Sequence, residues 1–460
     1  MITYSIIQKS QLEGAHRIDA EYYQPEYFID FSKGKWLPIK SVISKCQYGI
    51  SQAMAVEKIG YPIFRMNDIK NAFLLDDEVK YIDLDEKLFA KFKIEKDDVL
   101  FNRVNAENFV GRTGIFKLSG DYTFASYLIR LKVGREDLIL PDYLNIFLSS
   151  SYGIKQIRKF RRRAVNQANV NAEELKQIKI AVLPLNVQKD IAKLSNESWQ
   201  NIEQSKSLYS QAENLLLEEL GLKNFKPKED LSYVVNLSDV KSAQRVDAEY
   251  FQPKYEELIS KIKHQKLKVE LKSLEEITQF LNHAKQPPYI DSGEIPIVTQ
   301  RHLGENFINV EAINEYETKF TNSNWLKKHL KCKLNIGDIL YYSVGAYIGK
   351  TNIVLEKLNA TAASFITIIR TKGIVDPVYL TVVLNSIIGQ LQSKKWQAAT
   401  AQQYIYPKNI KNFVIPILPK LTQQKIANLV CQSHQARKKA KELLEEAKQK
   451  VEKMILGEVN

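Results

Sequence analysis

Cysteine is nearly absent: Cys46, Cys332 and Cys431 are the only three in 460 residues, odd in number and far apart. That excludes a disulfide framework or a cysteine metal knuckle and leads us to expect a reducing, cytoplasmic location. The six histidines never fall at H-x-x-x-H or H-E-x-x-H spacing, so zinc catalysis has no scaffold. No apolar run reaches the ~18–20 residues that cross a bilayer, so no membrane segment is expected. The opening residues, MITYSIIQKSQLEGAH, lack the basic and apolar regions of a signal peptide.

Catalytic signatures are missing too. Gly345–Thr351, GAYIGKT, ends like a phosphate loop but is one residue too short for G-x-x-x-x-G-K-[ST], so its glycines are expected to make a strand turn. Gln286–Tyr289, QPPY, resembles the Pro-Pro-Tyr loop of amino-methyltransferases, but it begins with Gln and no glycine-rich cofactor turn precedes it. Glu78-Val79-Lys80 matches the end of a nuclease Asp…Glu-x-Lys set, yet charged residues make up 26% of the chain and the triplet is expected by accident. No Ser/His/Asp or Cys/His grouping stands out. These absences favour a binding protein over an enzyme.

What is present is ample hydrophobic content and positive charge. Hydrophobic residues make up 44% and aromatics 10%, enough for several packed cores. The formal net charge is +13 and the pI about 9.2, which fits a partner that is a polyanion.

The chain also repeats itself. Arg17–Tyr27, RIDAEYYQPEY, matches Arg245–Tyr255, RVDAEYFQPKY, at eight of eleven positions. The pairing continues in order: YPIFRMNDI with IPIVTQRHL, KDDVLF with IGDILY, VGRTGI with IGKTNI, FASYLI with AASFIT, and LPLNVQKDIAKL with LPKLTQQKIANL. The offset stays between 228 and 240 residues, too long for a solenoid, so the chain holds two copies of one unit. Each copy reads as short strands, a helix opened by Pro141 or Pro377, a polar loop, a Leu-Pro strand end and a long helix.

The long helices are predicted from about Val187 to Leu220 and from Thr422 to Leu456, stopped by Gly221 and Gly457. Spacings of three and four mark a seam through Ile426, Leu429, Ser433, Ala436, Ala440, Leu443 and Ala447. In the first helix the seam is expected at Val187, Ile191, Leu194, Ser198, Asn201, Ser205, Leu208, Ala212 and Leu215. A helix of that length rises ~50 Å, longer than a small domain is wide. The expected fold is therefore mixed α/β (α+β), duplicated, with two domains separated by two long antiparallel coiled-coil helices.

Candidate polyanion contacts cluster in copy one. Lys155–Arg163, KQIRKFRRR, holds six basic residues. On a helix, Lys155, Arg158, Lys159 and Arg162 share a face and would suit phosphates. Arg161 and Arg163 complete the set; copy two is thinner, with Lys394 and Lys395. Polar loops follow, with Asn166 and Gln167 in copy one and Gln402, Gln403 and Tyr404 in copy two. Amides bond adenine edges in pairs and arginines bond guanine. Strand ends supply Arg65, Asn67, Arg103, Asn105 and Arg112, against Gln300, Arg301, Tyr347 and Lys350. The framing residues agree between copies while these side chains differ, as expected of two readers of different targets.

In this order, twice over, the DAEYYQP/DAEYFQP segments, the YPIFR strand, the GDIL turn and the Leu-Pro plus Gln helix resemble the specificity subunits of type I restriction-modification systems. The resemblance covers essentially the whole chain. It implies target-recognition domains at 1–185 and 233–420, spacer helices at 186–221 and 421–460, and a linker at 222–232. It also implies a non-catalytic subunit that binds double-stranded DNA at a bipartite, asymmetric site. The implied partners are methyltransferase subunits, two of them expected, and restriction subunits. No cofactor is implied in this chain: S-adenosylmethionine belongs to the methyltransferase, ATP and magnesium to the restriction subunit. The alternatives are the recognition subunit of a two-subunit type II enzyme, a stand-alone DNA methyltransferase and a protein-binding adaptor.

Overall fold

The computed structural model describes residues 5–15, 17–164, 167–264, 269–304, 306–309, 318–398 and 403–458. The chain divides into two compact units, Met1–Glu203 with Ala436–Asn460, and Gln204–Gln435. Both divisions fall inside long helices, Leu185–Glu219 and Lys420–Leu456, so each unit owns one end of each helix. Among the described residues, no helix is long and apolar enough to cross a membrane.

The first unit is built on a six-stranded sheet ordered Ile43–Tyr48, Leu128–Val133, Val99–Asn102, Thr113–Ile115, Phe73–Leu74 and Ile69–Lys70. A second sheet joins Thr123–Phe124, Tyr61–Phe64 and Lys80–Ile82. Helices Pro141–Ser149 and Ser151–Phe160 cover the large sheet, and Tyr143, Phe147 and Ile157 sit in its core. The second unit repeats the plan. Its main sheet runs Thr278–His283, Ile366–Thr371, Ile339–Tyr342 and Thr351–Ile353, covered by helices Pro377–Asn385 and Ile387–Trp396.

Where one helix was predicted after each proline, the structure has two. The break falls at Ser150 and Ser386, whose hydroxyls accept from Gly153 N at 3.4 Å and Ile388 N at 3.3 Å. A serine cap offers the backbone a partner in place of the helix ladder, so the chain turns there.

The repeated residues are mostly staples of the frame. Buried Gln188 donates to the carbonyls of Leu138 and Leu183 and accepts from Leu140 N at 2.9 Å. Gln423 does the same with Leu418 O and Asp376 N. Each glutamine thus ties a long helix to the start of the helix that follows the sheet. Tyr143 and Tyr379 donate to Ala181 O at 2.6 Å and Pro416 O at 2.7 Å. Asp98 and Asp338, from the GDIL-type turns, pair with Arg130 and Arg370 at 3.4 Å and 2.7 Å. Removing one partner of a buried pair of this kind costs about 3–5 kcal/mol.

Gly111 and Gly349 occupy one turn in the two copies, with φ of +91° and +93°. A Cβ there would stand 2.5 Å from Ile157 Cγ2 or 2.9 Å from Ser393 Oγ. Gly349 donates to Tyr342 O, so the near-phosphate loop is a strand turn.

Each unit packs its two helix ends against each other. In the first, Asp190 pairs with Lys450 at 2.8 Å and the Ser198 hydroxyl donates to Ala440 O at 2.7 Å. Rising numbers on one helix meet falling numbers on the other, so the packing is antiparallel. In the second unit the Ser433 hydroxyl donates to Ser205 O at 2.7 Å. The second helix buries Ile426, Ser433, Ala436, Ala440, Leu443 and Ala447 of the predicted seam, while Leu429 sits at the margin and its neighbour Val430 is buried. In the first helix half the seam shifts by one. Ile191, Ser195, Ser198, Ile202, Ser205, Tyr209, Ala212 and Leu216 are buried, while Leu194, Asn201, Leu208 and Leu215 sit at the margin. Small serines let the helices approach closely, and hydrophobicity alone picks the neighbouring leucine.

Both long helices end in the same motif. Leu222 N donates to Leu217 O and Gly221 N to Glu218 O; Glu458 N and Gly457 N repeat this on Lys453 O and Met454 O. The glycines take φ of +61° and +75°, as this helix stop requires.

Candidate nucleic-acid interface

The described residues of copy one's polar loop are largely strand. Helix Ser151–Phe160 ends before the arginines, with Arg161 as its C-cap. Arg162 therefore leaves the helical face predicted for it. Arg162–Ala164 and Gln167–Asn169 form antiparallel strands that continue onto Val104–Asn105. This small sheet gathers Arg162, Arg163, Gln167 and Asn105, with Arg103 at its edge. Asn166 lies outside the described residues.

The arginines of this cluster meet carboxylates. Arg161 is buried and paired with Glu107. Arg162 bonds Glu174 at 2.6 Å, and Arg163 bonds Glu21 at 2.5 Å and Glu107 at 2.6 Å. Their charge is partly answered within the protein, which leaves less for phosphates than the sequence promised. Arg162, 63% exposed, keeps the most contact with solvent. On the preceding helix Lys155 is exposed and Arg158 half-buried. Lys159 lies over the Tyr22 ring, and burial lowers its pKa, with Lys179 adding to the effect.

Arg103 is held differently. Its Nε donates to Ser126 O at 3.2 Å and its guanidinium lies 4.9 Å from the Tyr48 ring centre. Among the described residues, its two terminal nitrogens have no protein partner. Asn105 accepts from Ala106 N, and exposed Arg112 lies over Phe109 at 4.3 Å. Arg65 and Asn67 sit on another turn, after strand Tyr61–Phe64. Arg65 grips Asp68 through two bonds of 3.1 Å and donates to Glu78 O, while Asn67 is exposed.

Copy two keeps the backbone and changes the side chains. Ile405 N donates to Ser343 O at 3.0 Å just as Val170 N donates to Arg103 O at 2.9 Å. Tyr404 bridges both Ala398 and Val344, the place Asn169 takes in copy one. Its hydroxyl bonds His283 Nε2; His283 Nδ1 meets Thr367 Oγ1 at 3.0 Å, which meets Ser343 Oγ at 2.8 Å. Burial pushes the His283 imidazole below its ordinary value. Gln403 is exposed and its carbonyl accepts from Gly345 N; Gln402 lies outside the described residues.

Tyr347 is 61% exposed, with Lys350 Nζ 5.6 Å from its ring. Gln300 and Arg301 are exposed on a turn held by His302, whose Nδ1 accepts from Thr299 N. Lys394 bonds Glu229 at 2.7 Å and so helps hold that carboxyl down at about 2. Lys395 bonds Glu256 and lies over Tyr250.

Residues outside the predicted set complete the site. Arg17 pairs with Asp19 through bonds of 2.8 Å and 2.6 Å and donates to Phe160 O, at the end of the helix that leads into the small sheet. Arg245 repeats this with Asp247 and Gln397 O. The repeated DAEY segment is thus a clamp on a helix C-terminus, where cationic donors are favoured.

Residues 39–207 match the family model described as type I restriction modification DNA specificity domain. The matched stretch contains the small sheet, Arg103 and the arginine cluster. Over 161 residues the chain is 29% identical to a Methanocaldococcus jannaschii protein named for the MjaX specificity subunit of a type I restriction enzyme. It is 22% identical over 174 residues to the EcoKI specificity subunit of Escherichia coli K12. These matches cover 35% and 37% of this chain and 38% and 36% of the relatives, little more than a third of their length. The S subunit of a type-I restriction-modification system from M. genitalium aligns over 93% of this chain and 97% of that one, at 13% identity and a TM-score of 0.41.

Proposed function

We propose that the chain is the DNA-reading subunit of a type I restriction-modification complex, in which each copy reads one half of a bipartite, asymmetric site. The observation that carries this reading is a shared backbone with unlike tips. The bond between Val170 and Arg103 recurs between Ile405 and Ser343, yet copy one offers a guanidinium where copy two offers Tyr404 and the exposed Gln403. Arginine suits guanine edges, whereas amides and hydroxyls suit other bases, so the two half-sites differ. The chain binds double-stranded DNA and methyltransferase subunits, two on this reading, with restriction subunits joining them. S-adenosylmethionine, ATP and magnesium act on those partners, and this chain supplies recognition.

Co-expression with a cognate type I methyltransferase subunit, followed by mapping of modified bases, tests the proposal. A bipartite motif with a fixed gap is expected; a continuous motif, or no modification, rejects it. Deleting one heptad from each long helix removes ~10 Å of rise. The gap between half-sites is expected to change by whole base pairs while the half-sites stay the same.

A further inference from the structure

In both copies the first strand of the main sheet ends at one structural position. Tyr48 pairs with Ile129 in copy one, and His283 pairs with Thr367 in copy two. Directly afterwards, Gly49 N donates to Leu128 O and Ala284 N to Ile366 O, so the registers agree. Each of these terminal side chains touches the tip group that distinguishes its copy. Tyr48 lays its ring against the Arg103 guanidinium, and its own hydroxyl is tied down by Ala172 N at 2.9 Å. His283 holds the Tyr404 hydroxyl and is itself tied down through Thr367 to Ser343.

We infer that Tyr48 and His283 are specificity-positioning residues, each fixing the tip side chain with which its copy reads a base. The inference rests on the DNA-reading function proposed above. Arginine has several rotatable bonds, and a free guanidinium wanders among phosphates and bases alike. Held by an aromatic face and by Ser126 O, Arg103 presents its two terminal nitrogens end-on, the geometry that matches guanine O6 and N7. Copy one's half-site is therefore expected to contain a guanine whose selection depends on Tyr48. Copy two carries Ser343 where copy one carries Arg103, and Tyr404, pinned by a neutral relay, replaces the cation. Its discrimination is expected to depend on His283 instead.

The test selects DNA from a random pool with the full chain co-expressed with a cognate type I methyltransferase subunit. Arg103→Ala identifies the half-site that copy one reads. Tyr48→Ala is expected to lower guanine preference in that half-site on the order of tenfold, within the range of a partly desolvated cation–π contact. Tyr48→Phe keeps the ring and is expected to retain the preference. His283→Ala is expected to act on the other half-site alone, with His283→Gln, which can still bond the Tyr404 hydroxyl, close to wild type. Adding His283→Ala to Tyr404→Phe should change nothing further, since the bond is already gone. A wild-type chain that selects no bipartite sequence rejects the DNA-reading function and this inference with it. A wild-type chain that selects one, with Tyr48→Ala and His283→Ala unchanged or weakened equally at both half-sites, rejects the positioning role alone.

Discussion

Arg103 and Ser343 stand at the same point of two equivalent frames, and each accepts through its carbonyl from the strand that returns beside it. Around them the agreement is close. Gln188 and Gln423, Tyr143 and Tyr379, and the pairs Arg130–Asp98 and Arg370–Asp338 make matching bonds. At the tips the agreement stops. An arginine in copy one faces a serine in copy two; an asparagine faces a tyrosine; a tyrosine brace faces a histidine. Buried polar groups cannot change without leaving a partner unsatisfied, whereas tip groups can. The division teaches that the duplicated unit holds its frame through buried bonds and varies its side chains at strand ends, which on the proposed function is where a target would be read.

The largest effect expected is on the frame. Arg130→Ala leaves Asp98 buried without its partner and is expected to lower stability by about 3–5 kcal/mol. Arg370→Ala does the same to Asp338, by less, because Arg370 is 16% exposed and water can reach the site. Chemical denaturation of the full chain reads both as earlier unfolding. If either substitution changed target sequence while leaving stability intact, the separation of frame from tip would be wrong.

Next is the tip of copy one. Arg103→Ala is expected to cost about 1–3 kcal/mol of discrimination at one base position, with the other half-site untouched. Competition binding with single-base variants measures this. Loss spread evenly over all positions would make Arg103 a phosphate contact.

Much of this comparison was legible in the sequence. The duplication, the proline-opened helices and the glycine stops at Gly221 and Gly457 follow from local chemistry, and they stand in the structure where periodicity and capping put them. The first helix's seam was only half legible, because burial of Ser195 follows from close helix packing and not from hydrophobicity. The strands after Phe160 were hidden, since Arg-Arg-Ala and Gln-Ala-Asn carry no strand pattern and gain theirs by pairing with Val104–Asn105. The clamp role of Arg17 was written in the repeat, but repetition alone does not separate a staple from a contact. Tyr48 and His283 carried no signal at all. They meet their partners only once Ile129 and Thr367 set the register.

A smaller effect should separate the copies by salt. Arg162→Ala removes the most exposed arginine of its cluster and is expected to reduce the salt slope of binding by about 1. Lys394→Ala should do less, since Lys394 is less exposed, at 47%, and is answered by two carboxylates, Glu229 at 2.7 Å and Glu249 at 3.7 Å, where Arg162 has Glu174. Equal slopes for the two variants would mean that both copies lean on phosphates alike.

The smallest effect expected is one of pH, and it should appear in copy two alone. Burial favours the neutral form of His283, so the folded protein binds this proton less readily than the unfolded chain. The stabilisation is full above the imidazole's ordinary value of 6.5, shrinks as pH falls below it, and is gone below the lowered folded value. On protonation His283 Nε2 becomes a donor, so its bond to the Tyr404 hydroxyl reverses and the hydroxyl proton of Tyr404 turns away from the ring. Acidification should therefore blur the half-site read by copy two, while copy one, whose tip holds no histidine among the described residues, keeps its base. His283→Gln removes the titration and should make both half-sites equally tolerant of acid; a chain in which the guanine of copy one fades first would reverse the assignment of the two braces.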